Sequence, residues 1–252
     1  MRAIFGRAVA TTAVILGATH AARADPRLDE RVYGPYVEQG VGEIEARQGD
    51  ELGGPLGGAE ATVIEAEYGF GRISLAAVEA LSRAPSGPMA PASLGFEAKA
   101  YLGRIPGVGL DAGLYAEYGA GLNGAADSLE AKLLLAKRAG RFDARFNLIA
   151  ERPLGVPAGQ GYASWGWAAS ATWRVAGRLK VGGEAFGDLG SDRAFLGRKG
   201  AYAGPVVKWE FQPRRWPAKI GLEAGWLAAA GADRREGASQ VRFGLEIERK
   251  FR

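Results

Sequence analysis

The sequence predicts an all-β protein: a transmembrane up-and-down antiparallel β-barrel of about twelve strands, preceded by a cleaved signal peptide. Three observations predict it. The last stretch, residues 239–251, alternates with period two: Val241, Phe243, Leu245 and Ile247 on one face, Gln240, Arg242, Glu246 and Glu248 on the other. That period belongs to a strand and excludes an amphipathic helix. Similar segments recur along the chain, and their connections alternate between tight turns and longer Gly/Pro/charged loops, the rhythm of a barrel with short periplasmic turns and long outer loops. Finally, one face of nearly every segment carries charges of both signs while the other is apolar and aromatic.

The elements follow in order. Residues 1–24 hold Arg2 and Arg7, a short apolar core over 8–18, and Ala22-Arg23-Ala24 as a cleavage site, so they read as a signal peptide. Residues 25–40 are polar with Pro26 and Pro35, and are expected as a periplasmic lead-in; residues 41–252 are expected as the barrel. Segment 41–48 sets Glu43, Glu45 and Arg47 against Ile44 and Ala46, and segment 61–70 sets Glu65 and Glu67 against Ile64 and Tyr68. Segment 73–81 has no clear pattern. Segment 93–102 offers Glu97 and Lys99, and segment 108–118 offers Asp111 and Glu117. Residues 128–137 have helix-favouring composition, but their tight turn and place in the series favour a strand.

Segment 142–151 places Phe142, Ala144, Phe146 and Leu148 against Asp143, Arg145, Asn147 and Glu151. Segment 164–174 keeps Trp165, Trp167 and Trp173 in phase. Segments 179–189, 202–211 and 218–228 add Lys180 and Glu184, then Lys208 and Glu210, then Lys219 and Glu223. The final strand adds Arg242 and Glu246. All these charged side chains are expected to line the lumen. Trp165, Trp173, Trp209, Trp226 and Phe251 are expected in aromatic girdles. Trp165 and Trp173 are eight residues apart, or roughly 20 Å along the axis of a tilted strand, near the ~25 Å height of the apolar band.

Composition narrows the function classes. Removing Arg2, Arg7 and Arg23 from 32 basic residues leaves 29 against 28 acidic ones, so the basic balance is targeting charge and not a nucleic-acid signature. No run reaches the ~18 apolar residues of a membrane helix, whereas a spanning strand needs only about 9–11. The chain has no cysteine, and its one histidine, His20, lies in the expected signal peptide. A hydrolase would therefore lack the usual general base and thiol nucleophile, and no catalytic residue, cofactor or metal site is expected. A soluble lipocalin-like barrel or sandwich is the competing fold. Its dry cavity could not take this many ionisable groups, and inverting the faces would crowd the Trp and Phe rings into one small cavity.

The stretch V-Y-G-P-Y-V-E-Q-G-V-G-E-I-E-A-R (residues 32–47), R-F-D-A-R-F-N-L-I-A-E-R (141–152) and the closing strand resemble an uncharacterised proteobacterial family of outer-membrane β-barrel proteins, porin- or transporter-like. The closing strand also resembles the terminal signal read by the barrel insertion machinery, except that Arg252 follows Phe251. The resemblance implies an outer-membrane location and a transport role, with membrane lipid and the insertion machinery as partners. The functional expectation is a passive channel for small polar solutes through a charged lumen. The alternative is a non-conducting structural or surface-interaction barrel. Whether the lumen is open or filled by ion pairs is left open by the pattern.

Overall fold

The computed structural model describes residues 28–157, 159–197 and 200–251; the expected signal peptide lies outside them. The strands are β1 (Val41–Leu52), β2 (Glu60–Phe70), β3 (Ile73–Arg83), β4 (Ala90–Arg104), β5 (Asp111–Gly121), β6 (Asp127–Ala139), β7 (Phe142–Leu154), β8 (Ser164–Ala176), β9 (Leu179–Ser191), the two-residue β10 (Ala194–Phe195), β11 (Gly200–Phe211), β12 (Ala218–Gly231) and β13 (Ser239–Lys250). Each long strand pairs antiparallel with the next, and β13 pairs with β1 over Val41↔Lys250 to Leu52↔Ser239. Setting β10 aside as an extension of the β9 edge, twelve strands close the ring. Closure is what satisfies the edge of a terminal apolar-faced strand.

The two ends differ. At the end holding Val41 and Lys250, three connections are two-residue turns: Gly71-Arg72, Gly140-Arg141 and Gly177-Arg178. Their glycines take φ of 75°, 60° and 52°. Glycine with positive φ at the first position is what a type II′ hairpin requires, and its twist matches the strands. Longer connections lie at the opposite end, where the 3₁₀ turn Ala232–Arg235 brings buried Asp233 over the ring. There Tyr202 donates to Glu51 at 3.1 Å.

The barrel is apolar outside and polar inside. Phe96 is 73% exposed, and Ile44, Ile64, Leu75, Leu114, Phe146, Leu222, Phe243 and Leu245 are exposed on the same outer face. Glu45, Glu65, Glu97, Lys132, Asn147, Glu184 and Arg242 are buried on the inner one. Aromatic rings gather outside at the short-turn end: Tyr68 with Phe70 (4.7 Å), Tyr68 with Phe251 (6.2 Å), Phe142 with Trp173 (6.4 Å) and Trp209 with Phe211 (4.7 Å). Among the expected girdle residues, Trp173, Trp209 and Phe251 sit there. Trp165 is the second residue of β8, at the loop end, and Trp226 lies between the two ends. Toward the loop end of β1–β3 the outer face turns polar, with Gln48 and Arg83 bonded to Glu60 at 3.1 and 2.5 Å and Glu79 close below.

Segment 73–81 is the third strand, as its place in the series predicts, and its missing pattern has a cause. Ser74, Ala76 and Val78 face inward while Ile73 and Leu75 face out, so both faces are small or apolar, and a register shift follows at Ala80/Leu81. Residues 128–137 are strand β6, held by pairing on both sides. Loop-end boundaries run several residues beyond the alternating segments, because backbone pairing continues after the outer faces stop being uniformly apolar.

Residues 28–40, expected as a periplasmic lead-in, run inside the ring instead. Leu28, Val32 and Tyr33 are only 1%, 2% and 3% exposed. Gly40 donates to the Gly69 carbonyl at the short-turn end (2.9 Å), while Leu28 lies against Gly49 near the far end of β1. The segment therefore threads the lumen from one end toward the other.

Candidate functional site

A ring of eight strands is just filled by its own side chains, whereas one of sixteen to eighteen holds a water channel. Twelve strands leave a bore that needs something more to fill it. Here the filling is residues 28–36 together with a lattice of ion pairs.

Tyr33 is the hub of the inserted segment. Its backbone N–H donates to the Asn147 side-chain oxygen (2.8 Å), and Asn147 donates back to its carbonyl (3.0 Å). Its hydroxyl accepts from Arg47 (3.0 Å) and donates to Glu65 (3.3 Å). Its ring packs on Tyr115 with centroids 4.9 Å apart, and the Lys132 ammonium sits 4.9 Å from both rings. These partners come from β7, β1, β2, β5 and β6, so one tyrosine is tied to strands around much of the ring. Neighbouring residues extend the contacts. Lys132 donates to Glu30 (2.6 Å), Arg242 to the Glu30 carbonyl, and Tyr36 to Asp111 (3.0 Å).

Arg31 carries the main electrostatic contact. Its guanidinium pairs with Glu43 (3.4 Å), Glu45 and Glu246 (3.0 Å). The carboxylate oxygens of those three acids lie within 4.8 Å of one another. Three converging carboxylates repel strongly in a low-dielectric interior, and the guanidinium offsets that repulsion.

The wall glycines match the segment. A side chain at Gly49 would collide with the Leu28 carbonyl, and one at Gly69 with that of Glu38. At Gly113 an added Cβ would lie 2.8 Å from the Pro35 Cβ. Glycine is needed here because another backbone approaches the strand directly.

The remaining expected lumen residues face inward and pair among themselves. Lys99 bridges to Glu67 (2.8 Å), Lys180 to Glu210 (2.6 Å), Lys208 to Glu184 (2.7 Å) and Glu223 (2.8 Å), Lys219 to Glu248 (2.7 Å), and Arg145 to Asp143 (3.2 Å). Arg47 spans Glu45 (3.5 Å) and Glu65 (3.4 Å). Tyr115 donates to Glu117 (2.6 Å), and Tyr101 and Tyr36 share Asp111. Glu97 is buried, and Glu151 lies near the loop end of β7. Beside Arg31 a cavity of about 90 Å³ remains, room for a few waters and little else.

The interior is not polar throughout. Val32 joins Ile149, Ala168, Phe186, Tyr202, Leu227 and Ala229 in an apolar cluster, and Leu28 joins Ala59 and Ala61. The inner face of β7–β12 is thus partly a packed core around the inserted segment. Alternation singles out neither Arg31 nor Tyr33, because residues 28–40 have no period, and Asn147 carries no charge to mark it. The one usable signal is V-Y-G-P-Y itself, two aromatics and a proline in a stretch otherwise expected to be solvated.

Neither a protein-family model nor a curated protein matches the sequence. Solved structures match the fold. The COG4313 outer membrane channel from Pseudomonas putida F1 aligns with a TM-score of 0.58 over 88% of this chain and 100% of its own, at 12% identity. The NanC porin aligns at 0.56, over 82% and 100%, with 9% identity. The KdgM porin in complex with disordered oligogalacturonate aligns at 0.52, over 83% and 99%, with 11% identity. At such identities the likeness establishes the fold alone, a porin-like β-barrel.

Proposed function

We propose that this chain is an outer-membrane channel for small polar solutes or ions, closed at rest by its own residues 28–40. The observation that carries the reading is the seat of that segment: polar and apolar contacts to strands around the ring, wall glycines where its backbone comes close, and a charged wall behind it. The porin-like fold supports a conducting ancestry for the wall, and the mixed charges supply a path that water and ions can wet once the segment leaves.

Gly49→Val tests the seat without removing a residue. Valine there collides with the Leu28 carbonyl. In a planar bilayer the variant is expected to show steady openings where the parent is mostly closed. The same substitution in a chain beginning at residue 40 is expected to change nothing further. If the variant is as silent as its parent while the shortened chain conducts, residues 28–40 do not close the pore through this contact.

Seating should also depend on pH. Asp29 lies on the inserted segment, outside the strands. Burial and the neighbouring Glu30 push its carboxyl up to about 7, against the pull of Arg47, from an ordinary 3.8. The displaced segment returns Asp29 to water and to that ordinary value. Between the two values the seated form holds the extra proton, so seating is strongest at low pH and weakens as pH rises through about 7. Open probability is expected to be higher at pH 8 than at pH 6, and Asp29→Asn should flatten the dependence. A channel that closes further as pH rises would contradict this.

A second reading, a non-conducting structural barrel, is favoured by the completeness of the Tyr33–Asn147 pairing, which leaves neither backbone group of Tyr33 unpaired. It predicts that neither Gly49→Val nor loss of the segment produces current.

A further inference from the structure

The outer surface holds a feature that the lumen does not use. At the short-turn end, the β11–β12 connection forms a cavity of about 740 Å³ whose lining includes Arg178, Trp209, Pro213, Arg214, Arg215 and Trp216. A turn closed by the Trp216 N–H donating to the Pro213 carbonyl (3.2 Å) puts Arg214 and Arg215 at its two central positions. All three arginines are exposed, and none forms an ion pair among the described residues. The one acid at the cavity, Glu210, is already paired with Lys180 at 2.6 Å.

A second depression continues from the first. A groove of about 500 Å³ crosses the outer faces of β11, β12, β13 and β1, and Trp209 lines both spaces. Its outward side chains include Val207, Leu222, Phe243 and Leu245, with small Ala224 and Ala46 between them. Alanines flanked by bulky residues leave a trough where a chain of methylenes fits. Trp209 and Trp216, 48% and 44% exposed, are the residue type that sits where headgroups meet hydrocarbon.

The geometry points to a specific site for one anionic phospholipid, its phosphate among Arg178, Arg214 and Arg215 and an acyl chain in the groove beside Trp209. This rests on the barrel's outer face meeting lipid, and it is independent of whether the lumen conducts. Charge complementarity selects the headgroup. Arg72, Arg141 and Arg178 occupy the short turns, and Arg249 is next to last in β13 at this same rim, so the rim attracts anions, and the guanidinium forks suit phosphate oxygens. A continuous apolar trough beside the phosphate seat selects a lipid over a free anion.

Native mass spectrometry of the full refolded chain, in micelles with equal phosphatidylglycerol and phosphatidylethanolamine, tests this. Folding is checked separately by heat-dependent gel migration. Wild type is expected to retain phosphatidylglycerol in preference to phosphatidylethanolamine. Combined Arg178→Gln, Arg214→Gln and Arg215→Gln should weaken that retention about 100-fold, at roughly a factor of five per basic group. Ala224→Trp, which fills the groove and leaves the arginines intact, should also reduce it. Equal retention of both lipids, undiminished retention in either folded variant, or displacement by millimolar inorganic phosphate would each overturn the proposal. A silent but folded barrel that retains phosphatidylglycerol would sink the channel reading alone.

Discussion

A chain refolded from residue 40 onward is expected to conduct steadily in a planar bilayer, at least an order of magnitude above the chain that keeps residues 28–40, and to prefer cations. The first part follows from volume. Residues 28–36 bring Leu28, Val32 and Tyr33 into the lumen, each almost fully buried, and a twelve-strand ring without them has a wider bore than its own side chains fill. The preference follows from charge. Loss of Arg31 leaves Glu43, Glu45 and Glu246 facing one another with oxygens within 4.8 Å. Glu65, Glu67, Glu97 and Glu117 stand on the inner face of neighbouring strands, with Arg47, Lys99 and Lys132 as the basic groups beside them. A carboxylate cluster at a constriction admits cations and repels anions. Reversal potentials in a salt gradient measure the ratio. Anion preference would mean that the basic side chains of β8–β13 govern permeation. No current from a folded, inserted chain lacking the segment would end the channel reading.

Phe96→Arg is expected to destabilise the barrel in lipid by about 2–4 kcal/mol, the penalty for a cation on the lipid face near the bilayer midplane. Among the described residues Phe96 is the most exposed of the large apolar side chains, at 73%. It lies well inside β4, opposite Ala77 of β3 and Tyr118 of β5. Urea unfolding from vesicles, followed by tryptophan emission, reads the change. Gln48→Arg is the control: Gln48 is on the outer face too, but within the polar patch around Glu60, and little change is expected. In a water-soluble barrel Phe96→Arg would be neutral or favourable, so an unchanged midpoint would sink the membrane assignment of this face.

The two predictions probe parts of the molecule that differ in how far the sequence reveals them. Alternation is a local property. Glu65 and Glu67 against Ile64 and Tyr68 requires only that neighbouring side chains of a strand point to opposite faces, so strand identity, face and the inside-out arrangement are legible from short windows. The Gly-Arg turns are legible for the same reason, since a positive φ at Gly71, Gly140 and Gly177 is a demand of the turn itself. Segment 73–81 was opaque because Ser74, Ala76 and Val78 meet the interior without charge, which erases the contrast that alternation depends on.

What the sequence determined by itself is therefore the wall: about twelve strands, which face of each turns outward as the apolar one, and which charges turn inward. What only the tertiary structure decided is what fills that wall. Tyr33 meets Asn147 across 114 positions, and Arg242 reaches the Glu30 carbonyl across 212. No periodicity encodes such contacts. They exist because β13 closes on β1 and creates an interior, and the aperiodic residues 28–40 gain their partners only once that interior is there to receive them.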